Sequence, residues 1–152
     1  MFEYKATVKK VIDGDTVDAI VDLGFKVAYS CRIRLNGIDT PESRTRDLTE
    51  KRYGLGAKHR MQELLDENNG QFTLKSHGVG KFGRCLGEMI IPVPKDNPKI
   101  DGQTHRTINN ILIGEGHAVP YTGGSKKQVK QALLEARTKS KEYVEKHIKP
   151  LD

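Results

Sequence analysis

Three strand-like segments at the start of the chain restrict its fold more than any other feature. They run from Tyr4 to Val11, from Thr16 to Leu23 and from Phe25 to Leu35, and each is rich in Val, Ile, Thr and aromatic residues. Gly14 and Gly24 separate them at positions suited to tight turns. Because strands joined by tight turns pair antiparallel, the sequence predicts a β-meander.

Helical spacing replaces the strand pattern after the meander. Apolar residues recur at that spacing over Gly54 to Asn68, which predicts a first helix. Two further strands are expected over Gln71 to Ser76 and Arg84 to Ile91. The stretch from Pro92 to Gly102 contains three prolines, which predicts an exposed loop.

Two more helices complete the expected order of elements. One covers Thr104 to Gly114 with Thr104 as its N-cap, and the other covers Ser125 to Ile148. The order predicts an α+β fold in which a five-stranded OB-like β-barrel carries three α-helices. A length of 152 residues suits a single domain spanning residues 1–152.

The chain is basic, with a net charge of +6 and a pI near 9.3. A positive balance favours polyanionic partners such as nucleic acid. Much of the excess lies in Ser125 to Lys149, where eight Lys or Arg residues accompany three Glu residues. Such a run is typical of a solvated helix face, so charge alone does not identify a binding groove.

No targeting or membrane signal is recognised in this sequence. Charged residues occur near Met1, where a secretion signal needs an apolar core, and no later stretch has the length of a membrane span. These features predict a cytoplasmic protein that does not enter membranes, with release from the cell left open.

Cysteine and histidine spacing gives no support for a zinc site. Cys31 and Cys85 lack a CxxC spacing and are expected to be free thiols on strands. The five histidines show no HxxxH or HExxH pattern, so they are expected on the surface or in loops.

Two acidic segments are candidates for chemistry. Asp13-Gly14-Asp15-Thr16 lies at a predicted turn, and its i, i+2 spacing would place both carboxylates on one face if the strand begins there. The alternative is an ordinary Asp-Gly turn. The second segment, Arg34 to Glu42, combines a guanidinium with Asp39 and Glu42 at a strand end. The alternative is an ordinary strand end followed by polar turn residues.

A third segment, Lys81-Phe82-Gly83-Arg84, supplies a second guanidinium at the start of the last predicted strand. The planar fork of arginine matches phosphate oxygens, so two placed arginines suit a phosphodiester that gains negative charge. Taken alone, Arg84 is an ordinary surface cation.

In order and spacing, these segments resemble the staphylococcal (thermonuclease-like) nuclease family. The resemblance extends over about residues 5 to 148. The segments that carry it are Ile12-Asp13-Gly14-Asp15-Thr16-Val17, Arg34, Ile38-Asp39-Thr40-Pro41-Glu42, Tyr53-Gly54, Lys81-Phe82-Gly83-Arg84, Ile108 to Leu112 and Gly116-His117-Ala118.

The resemblance implies a calcium-dependent nuclease that hydrolyses DNA, with RNA as a second candidate, and leaves 3′-phosphate ends. It implies that Asp15, Asp39 and the Thr40 carbonyl bind Ca²⁺ and that Asp13 acts through water. Glu42 becomes the general base or the residue that positions the attacking water. Arg34 and Arg84 become the catalytic groups that hold the scissile phosphate.

The resemblance also implies a monomer that binds single-stranded or locally melted DNA. The substrate-binding residues it implies are Lys81, Phe82, Tyr121, Leu35 and Leu86.

The sequence departs from the family pattern around these residues. Phe82 replaces the usual Tyr and Gly80 a common acidic residue, Pro120 and Thr122-Gly123-Gly124 alter the loop around Tyr121, and the C-terminus lacks the usual Trp. The rival interpretation is a catalytically silent OB-like domain that binds nucleic acid or protein.

Overall fold

The structure begins with the meander that the first segments predict. A computed structural model describes residues 2–80, 83–94, 105–121 and 123–151. The described elements, in chain order, are β1 (Glu3–Asp13), β2 (Thr16–Asp22), β3 (Ala28–Leu35), β4 (Ile38–Asp39), α1 (Leu48–Asp66), β5 (Gln71–Val79), β6 (Cys85–Pro92), β7 (His105–Thr107), α2 (Ile108–Gly114), β8 (Val119–Pro120) and α3 (Lys126–His147).

The main sheet closes on itself. Its strand order is β3-β2-β1-β5-β6-β7, and β3 also pairs in parallel with β6 through Ile33 and Cys85, Arg34 and Leu86, and Leu35 and Gly87. Strands β1, β2, β3, β5 and β6 therefore form a closed barrel. The predicted α+β class with a five-stranded OB-like barrel and three helices is confirmed.

Apolar side chains from the barrel and from two helices share one core. Val17, Ile33 and Met89 from the strands are fully buried, as are Met61 on α1 and Leu112 on α2. Burying a side chain of this size contributes about 1.5–3 kcal/mol. The core therefore fixes α1 and α2 against the barrel.

Helix α1 begins at Leu48, so the predicted start at Gly54 was wrong. Asp47 is the N-cap, and its Oδ1 accepts hydrogen bonds of 3.1 Å from Thr49 N and Glu50 N. Gly54 and Gly56 lie inside the helix, where glycine is ordinarily unfavourable. A Cβ atom at Gly54 would lie 2.6 Å from the Glu42 carbonyl oxygen, so packing explains this glycine.

Other boundaries also differ from the predicted ones. Strand β3 begins at Ala28 because Phe25 and Lys26 adopt positive φ angles of 51° and 63° in the preceding turn. The N-cap of α2 is Thr107, whose side chain accepts from Asn110 N, whereas the predicted cap Thr104 lies outside the described residues. Most of the predicted loop from Pro92 to Gly102 also lies outside them.

Helix α3 matches its predicted range closely and begins with a capping box between Ser125 and Gln128. Within the described part of the chain, no helix combines the length and apolar character needed to cross a membrane.

The short strands β4 and β8 position one rim of the barrel. They pair antiparallel, with Asp39 opposite Val119, and Tyr121 N donates to Gly37 O at 2.8 Å. The end of β4 is thereby held beside the segment that follows α2.

Candidate active site

Three aspartates lie at the ends of neighbouring strands. Asp13 is the last residue of β1, Asp15 lies in the turn before β2, and Asp39 is the last residue of β4. The condition under which Asp13 and Asp15 would share one strand face is not met, because β2 begins at Thr16. Asp13 Oδ1 instead accepts from Gly14 N at 3.0 Å, and Asp15 Oδ1 accepts from the Thr16 hydroxyl at 2.8 Å.

Arg34 lies between two of these aspartates. Its Nη2 atom is 3.4 Å from Asp15 Oδ2 and 3.3 Å from Asp39 Oδ1. The guanidinium also donates to the carbonyl oxygens of Leu35 at 2.6 Å and Ile38 at 2.9 Å. Four protein oxygens therefore hold one half-buried cation beside the carboxylates.

Asp13 and Asp39 are placed where negative charge is unfavourable. Burial raises the pKa of Asp39, with Arg34 opposing the shift and Asp15 adding to it. Burial also raises the pKa of Asp13; hydrogen bonds from Ser43 and Gly14 oppose the shift, and the charge of Asp15 adds to it. A further positive charge near these groups would relieve both effects.

One carboxylate oxygen lacks a partner. Among the described residues, Asp39 Oδ2 is buried without a hydrogen-bond donor. Leaving such an atom without a partner is costly, and a bound cation would provide one. The candidate metal ligands at this rim are carboxylate and carbonyl oxygens, which suit a hard cation such as Ca²⁺ better than a transition metal.

Asp39 opens into a cleft of about 550 Å³ that Thr40 and Glu42 also line. Glu42, whose side chain is exposed, also lines a second cavity of about 380 Å³ together with Asp13 and Arg84. The structure therefore brings Asp13, Asp39, Thr40, Glu42 and Arg84 to adjoining cavities.

The predicted substrate-binding residues fall into different environments. Tyr121 is 60% exposed and lines the cleft beside Asp39 and Glu42. Leu86 is half-buried on β6, whereas Leu35 is 1% exposed within the core. Lys81 and Phe82 lie outside the described residues.

Two lysines of the cleft were not recognised from the sequence. Lys126 and Lys130, in the first turns of α3, line the cleft together with Tyr121. Both lysines are exposed, which agrees with the interpretation of Ser125 to Lys149 as a solvated helix face, and at this end of the helix that face also borders the cleft. Their i, i+4 spacing directly after the N-cap was the available signal.

Asn109 is a third residue whose role the sequence did not indicate. It is buried, its Oδ1 accepts from Met89 N at 3.1 Å, and its Nδ2 donates to Asn36 O at 2.9 Å. The side chain ties α2 to β6 and to the turn before β4, so it helps to position Asp39.

The histidines and cysteines lie outside the rim aspartates. His117 is in the loop between α2 and β8, in agreement with the expectation of surface or loop histidines, but it is buried, with 2% of its surface exposed. Cys31 and Cys85 are free thiols on the neighbouring strands β3 and β6. Burial and the adjacent Cys85 thiol raise the pKa of Cys31 to about 12, so this thiol is a poor nucleophile.

The fold and the site together define a class of protein: an OB-like barrel with aspartates, a glutamate and arginines at one rim. A family model described as "Staphylococcal nuclease homologue" matches residues 32–145. The chain belongs to this family.

Two known proteins resemble the chain. Protein ParB of Escherichia coli is 29% identical over 122 residues, which cover 78% of this chain and 58% of that protein. Thermonuclease of Staphylococcus intermedius is 34% identical over 79 residues, which cover 52% of this chain and 44% of that protein. The chain therefore spans about half the length of the curated relatives it matches. Family membership and the similarity to a thermonuclease support a nuclease-like function.

Proposed function

We propose that this protein is a calcium-dependent nuclease that hydrolyses phosphodiester bonds of DNA, and of RNA as a second substrate. The observation that carries the proposal is the buried Asp39 Oδ2 atom, which has no hydrogen-bond partner among the described residues and lies on a side chain beside Arg34, itself paired with Asp15. A carboxylate arrangement of this kind is favoured when a cation completes it.

The proposed calcium ligands are Asp15, Asp39 and the Thr40 carbonyl, with Asp13 acting through water. Calcium accepts several oxygen ligands in flexible geometry, which agrees with donors drawn from two turns of the chain. When bound, the ion would offset the negative charge of the phosphate and of the transition state.

Glu42 is proposed to position or deprotonate the attacking water, because it lines both cavities of the rim. Attack on phosphorus would break the bond to the 5′ oxygen, which takes up a proton, and would leave a 3′-phosphate. Arg84 would hold the phosphate and assist the departing oxygen. Arg34 would exchange some of its present protein contacts for phosphate oxygens.

The cleft also has features suited to a nucleic-acid strand. The exposed ring of Tyr121 offers a stacking surface, and Lys126 and Lys130 add positive charge along the same wall. Stacking of a base on this ring requires that the base is unpaired, so the proposed substrate is single-stranded or locally melted nucleic acid.

The test is cleavage of single-stranded DNA and of RNA by the wild type, Glu42→Gln and Arg84→Lys, with Ca²⁺ and with a chelator. We expect calcium-dependent cleavage that falls about 10²–10⁴-fold in Glu42→Gln and about 10²–10³-fold in Arg84→Lys. Glu145→Gln, an exposed change of the same kind on α3, and Arg106→Lys are the matched controls and should retain wild-type rates.

Binding of single-stranded DNA without cleavage by any form would contradict the proposal and favour the silent binding domain. Cleavage that Glu42→Gln and Arg84→Lys leave unchanged would show that the reaction occurs elsewhere.

A further inference from the structure

A second group of metal-ligand side chains lies where α1 meets α3, apart from the cleft. His59, Glu63 and His147 each offer one ligand atom, and these three atoms lie within 4.8 Å of one another. Among the described residues, no other three histidine, cysteine or acidic side chains bring ligand atoms this close together. None of its members lines the cleft of Asp39 and Glu42.

Helix geometry explains why the three side chains meet. His59 and Glu63 are four residues apart on α1, so they project from the same face of that helix. His147 is the last residue of α3. The helices approach closely, because a Cβ atom at Gly56 of α1 would lie 2.8 Å from Val144 Cγ2 of α3. The imidazole rings of His59 and His147 are 5.0 Å apart between centroids.

Tyr143 already orients two of the three side chains. Its hydroxyl donates to Glu63, so the 2.7 Å contact with His59 Nδ1 requires that His59 donates from that nitrogen. Such a tautomer leaves Nε2 as the acceptor. Outer partners that fix a ligating histidine and a carboxylate in this way are typical of metal sites.

Arg60, the charge partner of Glu63, has a second carboxylate partner. Arg60 lies 3.6 Å from Glu63, but it also donates to both carboxylate oxygens of Glu115 at 2.7 and 3.0 Å. Glu63 can therefore turn toward a cation without leaving Arg60 unpaired.

We propose that His59, Glu63 and His147 bind Zn²⁺ or a similar divalent transition-metal ion. Two imidazoles and one carboxylate form a ligand set that zinc accepts, with water in the fourth position. This set differs in donor type from the all-oxygen rim, so it selects a different ion. Glu63 and His147 line an open cavity of about 470 Å³, through which the ion can reach them.

The test is calorimetric titration of Zn²⁺ into the full chain, with Co²⁺ absorption as a spectroscopic measure of histidine ligation. We expect one Zn²⁺ per chain, bound at least about tenfold more weakly by His59→Gln and by His147→Gln. The matched control is His105→Gln, which removes a histidine on β7, and Asp39→Asn removes the other candidate metal site. Both should keep wild-type zinc affinity.

A second readout is the melting temperature, which Zn²⁺ should raise in the wild type and not in His147→Gln, because the ion links α1 to α3. Thermal unfolding in chelator establishes that each variant is folded. Zinc affinity that survives in His59→Gln and His147→Gln, zinc affinity lost in Asp39→Asn, or no zinc binding by the folded wild type would each overturn the proposal.

Discussion

The rim and the α1–α3 junction shift the pKa of a carboxyl group in opposite directions. At the rim, burial raises the pKa of Asp39, and its Oδ2 atom has no partner among the described residues. At the junction, which we define as His59, Glu63, Tyr143 and His147, burial also acts against Glu63. There the Tyr143 hydroxyl and Arg60 outweigh it and lower the pKa of Glu63.

The difference separates two kinds of polar cluster. At the junction, Tyr143 already forms hydrogen bonds with Glu63 and His59, so these side chains contribute to stability before any ion binds. At the rim, Asp39 Oδ2 has no donor among the described residues, which reduces stability and leaves a place for a ligand. Functional sites commonly carry such a cost.

Two glycines on the same helix test whether the rim and the junction are separate. A Cβ at Gly54 would lie 2.6 Å from the Glu42 carbonyl oxygen, which is backbone and must shift. A Cβ at Gly56 would instead meet the side chain of Val144. Displacing a catalytic group by about 1 Å can cost about 10²-fold in rate, so Gly54→Ala should lose cleavage activity to that extent.

Gly56→Ala is the matched control. It should lower the melting temperature while cleavage per folded molecule stays at the wild-type rate. Equal activity of Gly54→Ala and Gly56→Ala would show that Glu42 does not depend on the helix for its position.

His117 extends the comparison to pH. Its ring packs edge-on against Tyr143 at 4.8 Å between centroids, and Glu115, Arg60 and Glu63 are the charged groups around it. Burial lowers the pKa of His117 to about 4 from 6.5, so below pH 6.5 the unfolded chain binds a proton that the folded chain does not.

Stability should therefore fall as the pH drops from about 6.5 toward 4, and this contribution should be absent above pH 6.5. In chelator, the free energy of unfolding should fall by about 2–3 kcal/mol over this range, because each unit of pKa difference between the folded and unfolded chain corresponds to about 1.36 kcal/mol. Urea unfolding of the wild type and of His117→Gln across this range measures it. Parallel pH profiles of the two proteins would rule out His117 as the cause.

Neutralising one carboxylate in each region gives the smallest effects and opposite signs. In chelator at neutral pH, Asp39→Asn removes an unfavourable buried charge and should raise the free energy of unfolding by about 1 kcal/mol. Glu63→Gln weakens the acceptor of the Tyr143 hydroxyl and should lower it by about 1–2 kcal/mol. Chemical denaturation measures both, and changes of the same sign would remove the distinction between the regions.

The elements that the sequence predicts correctly depend on local patterns. Alternating apolar residues and the turn glycines suffice for β1 to β3, and the Ser125 cap suffices for α3. The start of α1 was missed because Gly54 and Gly56 suit contacts with distant segments, not a helix boundary. Strand β7 has three residues, which is too short for a periodic signal.

The dependence on local sequence also explains why one candidate site could be predicted and the other could not. The rim residues occur in short continuous segments, so the spacing of Asp13 and Asp15 and of Asp39 and Glu42 drew attention to them. The junction joins His59 to His147 across most of the chain, and only the packing of α1 on α3 brings them together. Histidine spacing along the sequence therefore gave no indication of this cluster.

Calorimetric titration of Ca²⁺ into the wild type, Asp39→Asn and Glu63→Gln tests whether the rim carboxylates bind the ion. We expect one Ca²⁺ per chain in the wild type and in Glu63→Gln, with affinity at least about tenfold lower in Asp39→Asn. Equal calcium affinity in all three proteins, or calcium binding lost in Glu63→Gln and kept in Asp39→Asn, would contradict it.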